Sequence, residues 1–255
     1  MELKKLRNNL AIMDRAEIVN QDLDNRIDEM LVNIGTTDED LREGIYEIFH
    51  KLIMGDYLTN LQITKIMDNC LDKLFYRIGE ANEDSVFTRS FSSLVIASIL
   101  NKDKELSFLS EEQLREVVDK CDSYFRFEKD FRGYVEEKGW AHSIAHAADL
   151  LCAVIHHPSY NLNDTKRLLG SLMPSLFSGV VLVDNEDERL ICAFEGLLER
   201  GLDDQVVEEW ILQVFAELKE SWGGTSLIHY KVRTNVKNFM KTLYFRLAFK
   251  KMATS

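Results

Sequence analysis

The sequence predicts an all-α protein, and three observations lead to this fold class. Only two prolines and 12 glycines interrupt the 255 residues, so long uninterrupted elements are expected and a turn-rich β-sandwich is not. Apolar residues make up 45% of the chain, enough for a large core. Segments with helical spacing of apolar residues follow one another between short loops. The predicted architecture is a HEAT-like right-handed stack of antiparallel helical hairpins in a single domain, residues 1–255, with a compact irregular helical bundle as the alternative.

Start and stop signals place the individual helices. Asp38 precedes an apolar stripe that ends at Gly55, and Thr59 opens a second stripe that is predicted to run to Gly79. Ser110 begins a capping-box pattern at the start of another helix. Two neighbouring helices together have the length of one HEAT or armadillo-type unit. Further helices are predicted to begin near residues 15, 84, 140, 164, 186, 203 and 226.

Charge excludes some partners and is unevenly distributed. With 31 basic and 43 acidic side chains the net charge is −12, which argues against nucleic acid and an anionic membrane as partners. Beyond Ser221 the chain carries only basic charges. We expect a basic final helix to dock on an acidic body, and an anion or phosphate patch is the alternative. These basic residues are Lys231, Arg233, Lys237, Lys241, Arg246, Lys250 and Lys251.

Location and cysteine chemistry are predicted from the same composition. The first residues regain charge quickly and show no apolar core of a secretory signal. No apolar stretch approaches the ~20 residues that a bilayer span needs, so a cytoplasmic protein is expected. The four cysteines are far apart and fall within apolar helical patterns, and they are expected to be reduced core residues: Cys70, Cys121, Cys152 and Cys192.

Residues 125–155, FRFEKDFRGYVEEKGWAHSIAHAADLLCAVI, combine an apolar helix with a polar strip. His142, His146 and Asp149 fall within an arc of about 60° if the helix is continuous from residue 140. Buried polar groups must either be paired or face a polar cavity. The strip is therefore predicted to be a structural hydrogen-bond network, a ligand pocket or a metal site.

The residues before this helix add further components of a pocket. Glu128 and Asp130 are expected to pair with Arg132 or with the histidines, whose pKa would then rise. Arg132 is expected to pair with Asp130, Glu128 or Asp149. The predicted pocket residues are Arg89, Glu128, Asp130, Arg132, Tyr134, Trp140, His142, His146 and Asp149.

Three functions remain open from these residues. The favoured one is a non-enzymatic binding module that holds a protein or small-molecule ligand on the concave face of the stacked hairpins. The second is a metal-dependent hydrolase or another enzyme, because His142, His146 and Asp149 have the spacing of a zinc-binding set, although the glutamate of the HExxH helix is missing. The third is a purely structural cluster. No cofactor is expected, apart from a possible divalent metal at these three residues.

The motif also resembles a known family. The run E-x-D-x-RGYV-x-x-KGWAHSxAHxADLL, with VFTRSFSSLV upstream at residues 86–95, is similar to the bacterial domain-of-unknown-function family numbered 2785 over most of the chain. The resemblance implies a helical, HEAT-like fold and supplies no activity, substrate or cofactor. The family-like positions are Arg89, Ser90, Phe91, Glu128, Asp130, Arg132, Gly133, Tyr134, Lys138, Gly139, Trp140, His142, His146 and Asp149.

Overall fold

The computed structural model describes residues 22–221 and 226–253. This part of the chain is helical apart from loops and one short two-stranded ladder, which confirms the predicted all-α class. None of its helices is long and apolar enough to cross a bilayer. The helices are α1 (Leu23–Asn33), α2 (Glu39–Met54), α3 (Asn60–Lys73), α4 (Ser85–Leu106), α5 (Glu111–Phe127), α6 (Ser143–Ile155), α7 (Thr165–Ser171), α8 (Met173–Leu176), α9 (Glu186–Glu199), α10 (Asp204–Glu220) and α11 (Leu227–Ala253).

The predicted cap residues begin and end the helices as expected. The Asp38 carboxylate accepts the Leu41 N–H at 2.9 Å, and Gly55 is the C-cap of α2. Thr59 and Ser110 each form a complete capping box. The starts of α4, α7, α9, α10 and α11 lie within one residue of the predicted positions. The start predicted near residue 15 lies outside the described residues.

Helix α3 ends earlier than its apolar pattern predicts. The pattern continues to Gly79, but the helix stops at Lys73 and residues 74–79 form successive turns. The Arg89 guanidinium donates to the carbonyl oxygens of Tyr76 and Arg77 at 3.1 and 3.3 Å. A buried side chain from α4 therefore binds both carbonyls, and the Arg77 oxygen also accepts the Glu80 N–H at 3.3 Å in a turn.

Helix α6 lies at the centre of the molecule. It packs against α4, α5 and α9, while α4 also contacts α2 and α3, and α9 also contacts α11. One continuous apolar cluster joins these elements. Buried alanines on α6, at positions 145, 147 and 148, allow the neighbouring helices to approach closely. The HEAT-like arrangement and the single-domain extent of the chain stay predictions.

Two of the four cysteines differ from the expectation. Cys152 on α6 and Cys192 on α9 form a disulfide, with their Cα atoms 6.0 Å apart, so the prediction that they are reduced is wrong. Their wide separation in sequence gave no sign that packing of α6 on α9 places them side by side. Cys70 and Cys121 are free and buried, as expected, and burial raises the pKa of Cys70 to about 12.

The basic final helix docks on an acidic helix. Arg246 of α11 pairs with Glu195 at 2.6 Å and with Glu188 at 3.4 Å, and the Thr242 hydroxyl donates to Asp187 at 2.7 Å. All three acidic residues lie on α9. This contact confirms the predicted docking for the part of α11 around Arg246.

Candidate functional site

A fully buried ion pair fixes the start of the loop between α5 and α6. Arg89 donates to Glu128 through Nε at 2.7 Å and Nη2 at 2.8 Å, and both side chains are 0% exposed. The Glu128 carboxylate also accepts the backbone N–H groups of Lys129 and Asp130, each at 2.9 Å. Two of the predicted pocket residues, Arg89 and Glu128, are therefore bound to each other and to the backbone.

A second ion pair holds the middle of the loop. Arg132 donates to Asp130 at 2.8 and 2.6 Å, which confirms the prediction that Arg132 pairs with an acid. Asp130 is 1% exposed and also accepts the Asn82 N–H at 2.9 Å. A further bond from Arg132 to the Glu83 carbonyl oxygen, 2.7 Å long, ties the loop to the segment before α4.

A short hairpin follows and presents two aromatic rings. Strand β1 (Tyr134–Val135) pairs antiparallel with β2 (Gly139–Trp140), with Tyr134 opposite Trp140. The two rings meet edge to face, 5.0 Å between centroids, and their residues are 55% and 36% exposed. Gly139 has a φ of +76°, and a Cβ there would collide with the Glu39 side chain. The hairpin therefore lies close against α2.

Arg42, which the sequence analysis did not single out, anchors this hairpin from α2. Its side chain is fully buried and donates to the carbonyl oxygens of Thr36 at 2.7 Å and Lys138 at 2.6 Å. The guanidinium also lies over the rings of Phe87 and Phe91, 4.1 and 5.0 Å from their centroids. Burial lowers its pKa. A buried cation thus binds the hairpin through backbone oxygens.

His142 marks the junction between hairpin and helix. The helix predicted from residue 140 begins only at Ser143, and His142 is its N-cap with φ 48° and ψ 39°, in the left-handed region. The N–H groups of Ala141 and His142 donate to the Gly133 carbonyl oxygen at 2.8 and 3.3 Å, which keeps both residues in the hairpin. The prediction that His142 belongs to a continuous helical strip is therefore wrong.

The imidazoles nevertheless come together, because the hairpin folds back over α6. The ring of His142 stacks on Trp140 with 4.2 Å between centroids and 3° between planes. Its centroid lies 5.4 Å from that of His146. Nδ1 of His142 is buried and has no hydrogen-bond partner within the described part of the chain.

His146 is held by a serine hydroxyl. Its Nδ1 lies 2.7 Å from the Ser90 Oγ, and the same hydroxyl donates to the Ala141 carbonyl oxygen. Since a serine hydroxyl has one proton, Ser90 accepts from Nδ1–H, and Nε2 of the neutral His146 ring carries the lone pair. The Phe91 ring contacts this imidazole edge to face at 5.2 Å.

Both histidines are neutral at pH 7. Burial lowers the pKa of His146 well below its usual value, and the positive charges of Arg189 and Arg42 act in the same direction. Burial and Arg189 also lower the pKa of His142. Of the two predicted alternatives, Asp130 pairs with Arg132, and Glu128 pairs with Arg89, so neither carboxylate pairs with a histidine and raises its pKa.

Asp149 pairs with a residue that the sequence analysis did not identify. Its carboxylate accepts from Arg189 of α9 at 2.8 Å, and each side chain is 38% exposed. Burial raises the pKa of Asp149. Asp149 is therefore engaged with a guanidinium group. Across residues 22–221 and 226–253, no set of three His, Cys, Asp or Glu side chains is placed to hold a metal ion.

The loop before α9 completes the surroundings of His142. A Cβ at Gly133 would collide with the Asp184 carboxylate, so this glycine lets Asp184 approach the hairpin. The Asp184 charge acts on His142 and partly offsets the lowering of its pKa. The backbone N–H of Asp184 is in turn held by Glu186 at 2.8 Å.

Comparison with known families shows to which family the chain belongs. The profile of the family described as "Protein of unknown function (DUF2785)" matches residues 74–245. The chain belongs to the DUF2785 family. No curated protein and no solved structure matches this DUF2785 protein. The matched region contains Arg89, the loop and hairpin, both histidines and Arg189, whereas Arg42 precedes it.

The sequence contains a pattern that would have identified Arg42 as a buried residue. Arg42 precedes Ile45 and Phe49 by three and seven residues, so helical spacing places it on the apolar face of α2. Arg189 and Asp184 gave no comparable signal, because their contacts with α6 and the hairpin join segments about 40 to 50 residues apart.

Proposed function

We propose that this DUF2785 protein is a non-enzymatic binding module whose helices form a HEAT-like stack. The proposed binding surface runs from the exposed rings of Tyr134 and Trp140 to the two neutral histidines and the Asp149–Arg189 pair. We name these residues the histidine pocket: Tyr134, Trp140, His142, His146, Asp149 and Arg189. Contacts of α6 with both α4 and α9 support the stacked arrangement.

The state of His142 carries this proposal. A residue with a Cβ in the left-handed region costs about 1–3 kcal/mol, and a buried polar atom without a partner costs about 1–3 kcal/mol more. His142 has both features, with φ 48° and an unpaired Nδ1. Most buried polar atoms of a structural network are paired, so the unpaired Nδ1 leaves a nitrogen available to a ligand. Strained and unpaired groups that concentrate at one place are typical of binding sites.

The chemistry of the pocket suggests the class of ligand. The stacked Trp140 and His142 rings favour a flat molecule, since aromatic faces contact planar groups well. Neutral His142 has one donor and one acceptor, whereas His146 has only its Nε2 acceptor left because its Nδ1–H is bound to Ser90, and neither ring favours an anion by charge. A small planar molecule that carries amide or amine donors fits these properties, and the partly exposed Asp149–Arg189 pair would contact its polar edge.

We favour binding over metal-dependent catalysis for two reasons. The zinc-site hypothesis assumed that His142 and His146 lie one turn apart on the same helix. His142 instead precedes the helix as its N-cap, so this spacing does not apply. The third predicted ligand, Asp149, is engaged with Arg189.

A ligand screen with one matched control tests the proposal. Small planar amides and amino-heterocycles are added to the purified protein, and the shift in melting temperature is measured. His142→Gly removes the imidazole and relieves the left-handed strain, and His50→Ala is the control, because His50 contacts Ser98 outside the pocket. We expect at least one compound to stabilise the parent and the His50 variant but not the His142 variant. Absence of any shift, or equal shifts in all three proteins, would overturn the proposal, and stoichiometric bound zinc that is lost in His142→Gly would favour the enzyme.

A further inference from the structure

A second surface lies far along the chain from the histidine pocket, where α10 and α11 meet. The two helices leave a cavity of about 530 Å³ between them. A neighbouring cavity of about 440 Å³ shares Phe215, Leu218 and Arg233 with it and extends the space to Lys219. We call the combined space the terminal groove. Its apolar floor consists of Phe215, Leu218, Val236, Met240, Tyr244 and Phe245.

Large apolar side chains in this groove are open to solvent. Phe215, Tyr244 and Phe245 are 48%, 68% and 55% exposed. Single exposed apolar residues are ordinary, but a contiguous set that lines a cavity marks an interaction site.

One edge of the groove is cationic. Arg233, Lys237 and Lys241 line the cavity and recur every fourth residue, so they form a single row along α11. Within the described residues none of the three forms an ion pair. Arg246 on the same helix, by contrast, pairs with Glu195 and Glu188 of α9. The row is therefore a concentrated positive edge on a chain whose net charge is −12.

The dimensions of the groove fit a helix. Arg233 and Phe245 are 12 positions apart on α11, which corresponds to about 18 Å or three helical turns. An amphipathic helix places apolar residues at i, i+3, i+4 and i+7 into such a floor, and acidic residues beside that stripe would meet the cationic row.

We propose that the terminal groove binds an acidic amphipathic helix of a partner protein. Two other occupants fit the charges less well. A second copy that uses the same face would bring one row of cations against another. The first 21 residues of this chain carry four basic and three acidic side chains, so they lack the acidic excess that the row would attract.

A designed peptide tests the proposal directly. The probe is a fluorescently labelled peptide of about 14 residues, long enough for the three turns, with Leu and Phe on one helical face and Glu on both sides of that face. A scrambled peptide of the same composition and a version with Lys in place of Glu are the controls. We expect fluorescence anisotropy to show micromolar binding of the acidic amphipathic peptide alone, weakened by added salt.

Protein variants test whether the groove is the site. Charge reversal at two rim positions, Lys237→Glu with Lys241→Glu, is expected to weaken binding about tenfold or more, because it replaces attraction by repulsion. Lys51→Glu on α2 changes charge on a distant exposed position and is expected to bind as the parent does. Circular dichroism verifies that each variant is folded, and Met240→Ala provides a second groove variant with unchanged charge.

Several results would overturn the proposal. Equal binding of the scrambled peptide would show that helical amphipathicity is not recognised, and unchanged affinity of both groove variants would place the peptide elsewhere. Failure of the acidic peptide to bind the parent would show that the groove does not bind an acidic amphipathic helix. Binding of the parent to phosphatidylserine vesicles but not to the peptide would replace the helix by an anionic membrane surface.

Discussion

Replacement of Arg89 by methionine removes one half of a buried ion pair and tests how the loop between α5 and α6 is held. Arg89 and Glu128 are both 0% exposed and share two hydrogen bonds. Methionine fills much of the volume of the arginine side chain without its charge. The substitution therefore leaves the Glu128 carboxylate in the interior without its cation.

The expected loss of stability follows from these contacts. Removal of one partner of a buried pair costs about 3–5 kcal/mol. Arg89 also donates to the Ser85 hydroxyl and to the Tyr76 carbonyl oxygen, each worth about 0.5–1.5 kcal/mol. Two backbone N–H groups continue to stabilise the Glu128 carboxylate. The lost bonds add to the cost, and the remaining backbone bonds to Glu128 reduce it. We therefore expect Arg89→Met to lower the free energy of unfolding by about 4 kcal/mol.

Urea unfolding followed by circular dichroism measures this loss. Arg126→Met is the matched control, because Arg126 is 40% exposed and pairs with Asp122 at 3.0 Å on the same helix, where a pair is worth about 0.5 kcal/mol. A double variant, Arg89→Met with Glu128→Gln, keeps an oxygen for the backbone N–H groups and removes the charge. It is expected to be more stable than Arg89→Met alone. A loss below about 1 kcal/mol for Arg89→Met would refute the reasoning, since that is the value of an exposed pair.

Three further predictions concern protonation, the disulfide and a buried contact. The pKa of His146 is lowered from 6.5, so on acidification the unfolded chain takes up a proton at this residue at a higher pH than the folded chain does. The free energy of unfolding should therefore fall as the pH drops below 6.5, and urea titrations of His146→Gln should show a shallower fall. Reduction of Cys152–Cys192, which spans 40 residues, should lower stability by about 4 kcal/mol, measured by unfolding with and without dithiothreitol, and the reductant should have no effect on a variant with both cysteines changed to serine. Asp103→Ala should cost about 3 kcal/mol in thermal unfolding, because Asp103 is 1% exposed and accepts bonds from His157 and two backbone N–H groups; a change within error would contradict this value.

The sequence was sufficient for features whose partners lie within one or two helical turns. Ser110 and Gln113 form a capping box because both donors and acceptors belong to the same first turn. The same is true of Asp38 at the start of α2. Arg132 and Asp130, two residues apart, pair as expected for neighbouring opposite charges. The side chains of Lys250 and Lys251, which the charge pattern included, lie outside the described residues.

The site could be predicted as a region but not as a geometry. The motif includes Trp140, His142 and His146, and the structure places their rings in contact. Helical spacing failed at His142, because the Gly133 carbonyl oxygen binds the N–H groups of residues 141 and 142 and keeps the chain in the hairpin. A backbone bond across eight or nine residues leaves no periodic signal in the sequence.

By itself the sequence determined the all-α class, the family and the ends of most helices, because caps, apolar stripes and a long motif are local properties of the chain. The tertiary structure decided which helices meet. Packing of α6 on α9 joined Asp149 to Arg189 and Cys152 to Cys192, and packing of α2 under the hairpin buried Arg42 against Lys138. These contacts span roughly 40 to 100 positions, and their energy comes from burial shared among many helices, so no short segment of the sequence specifies them.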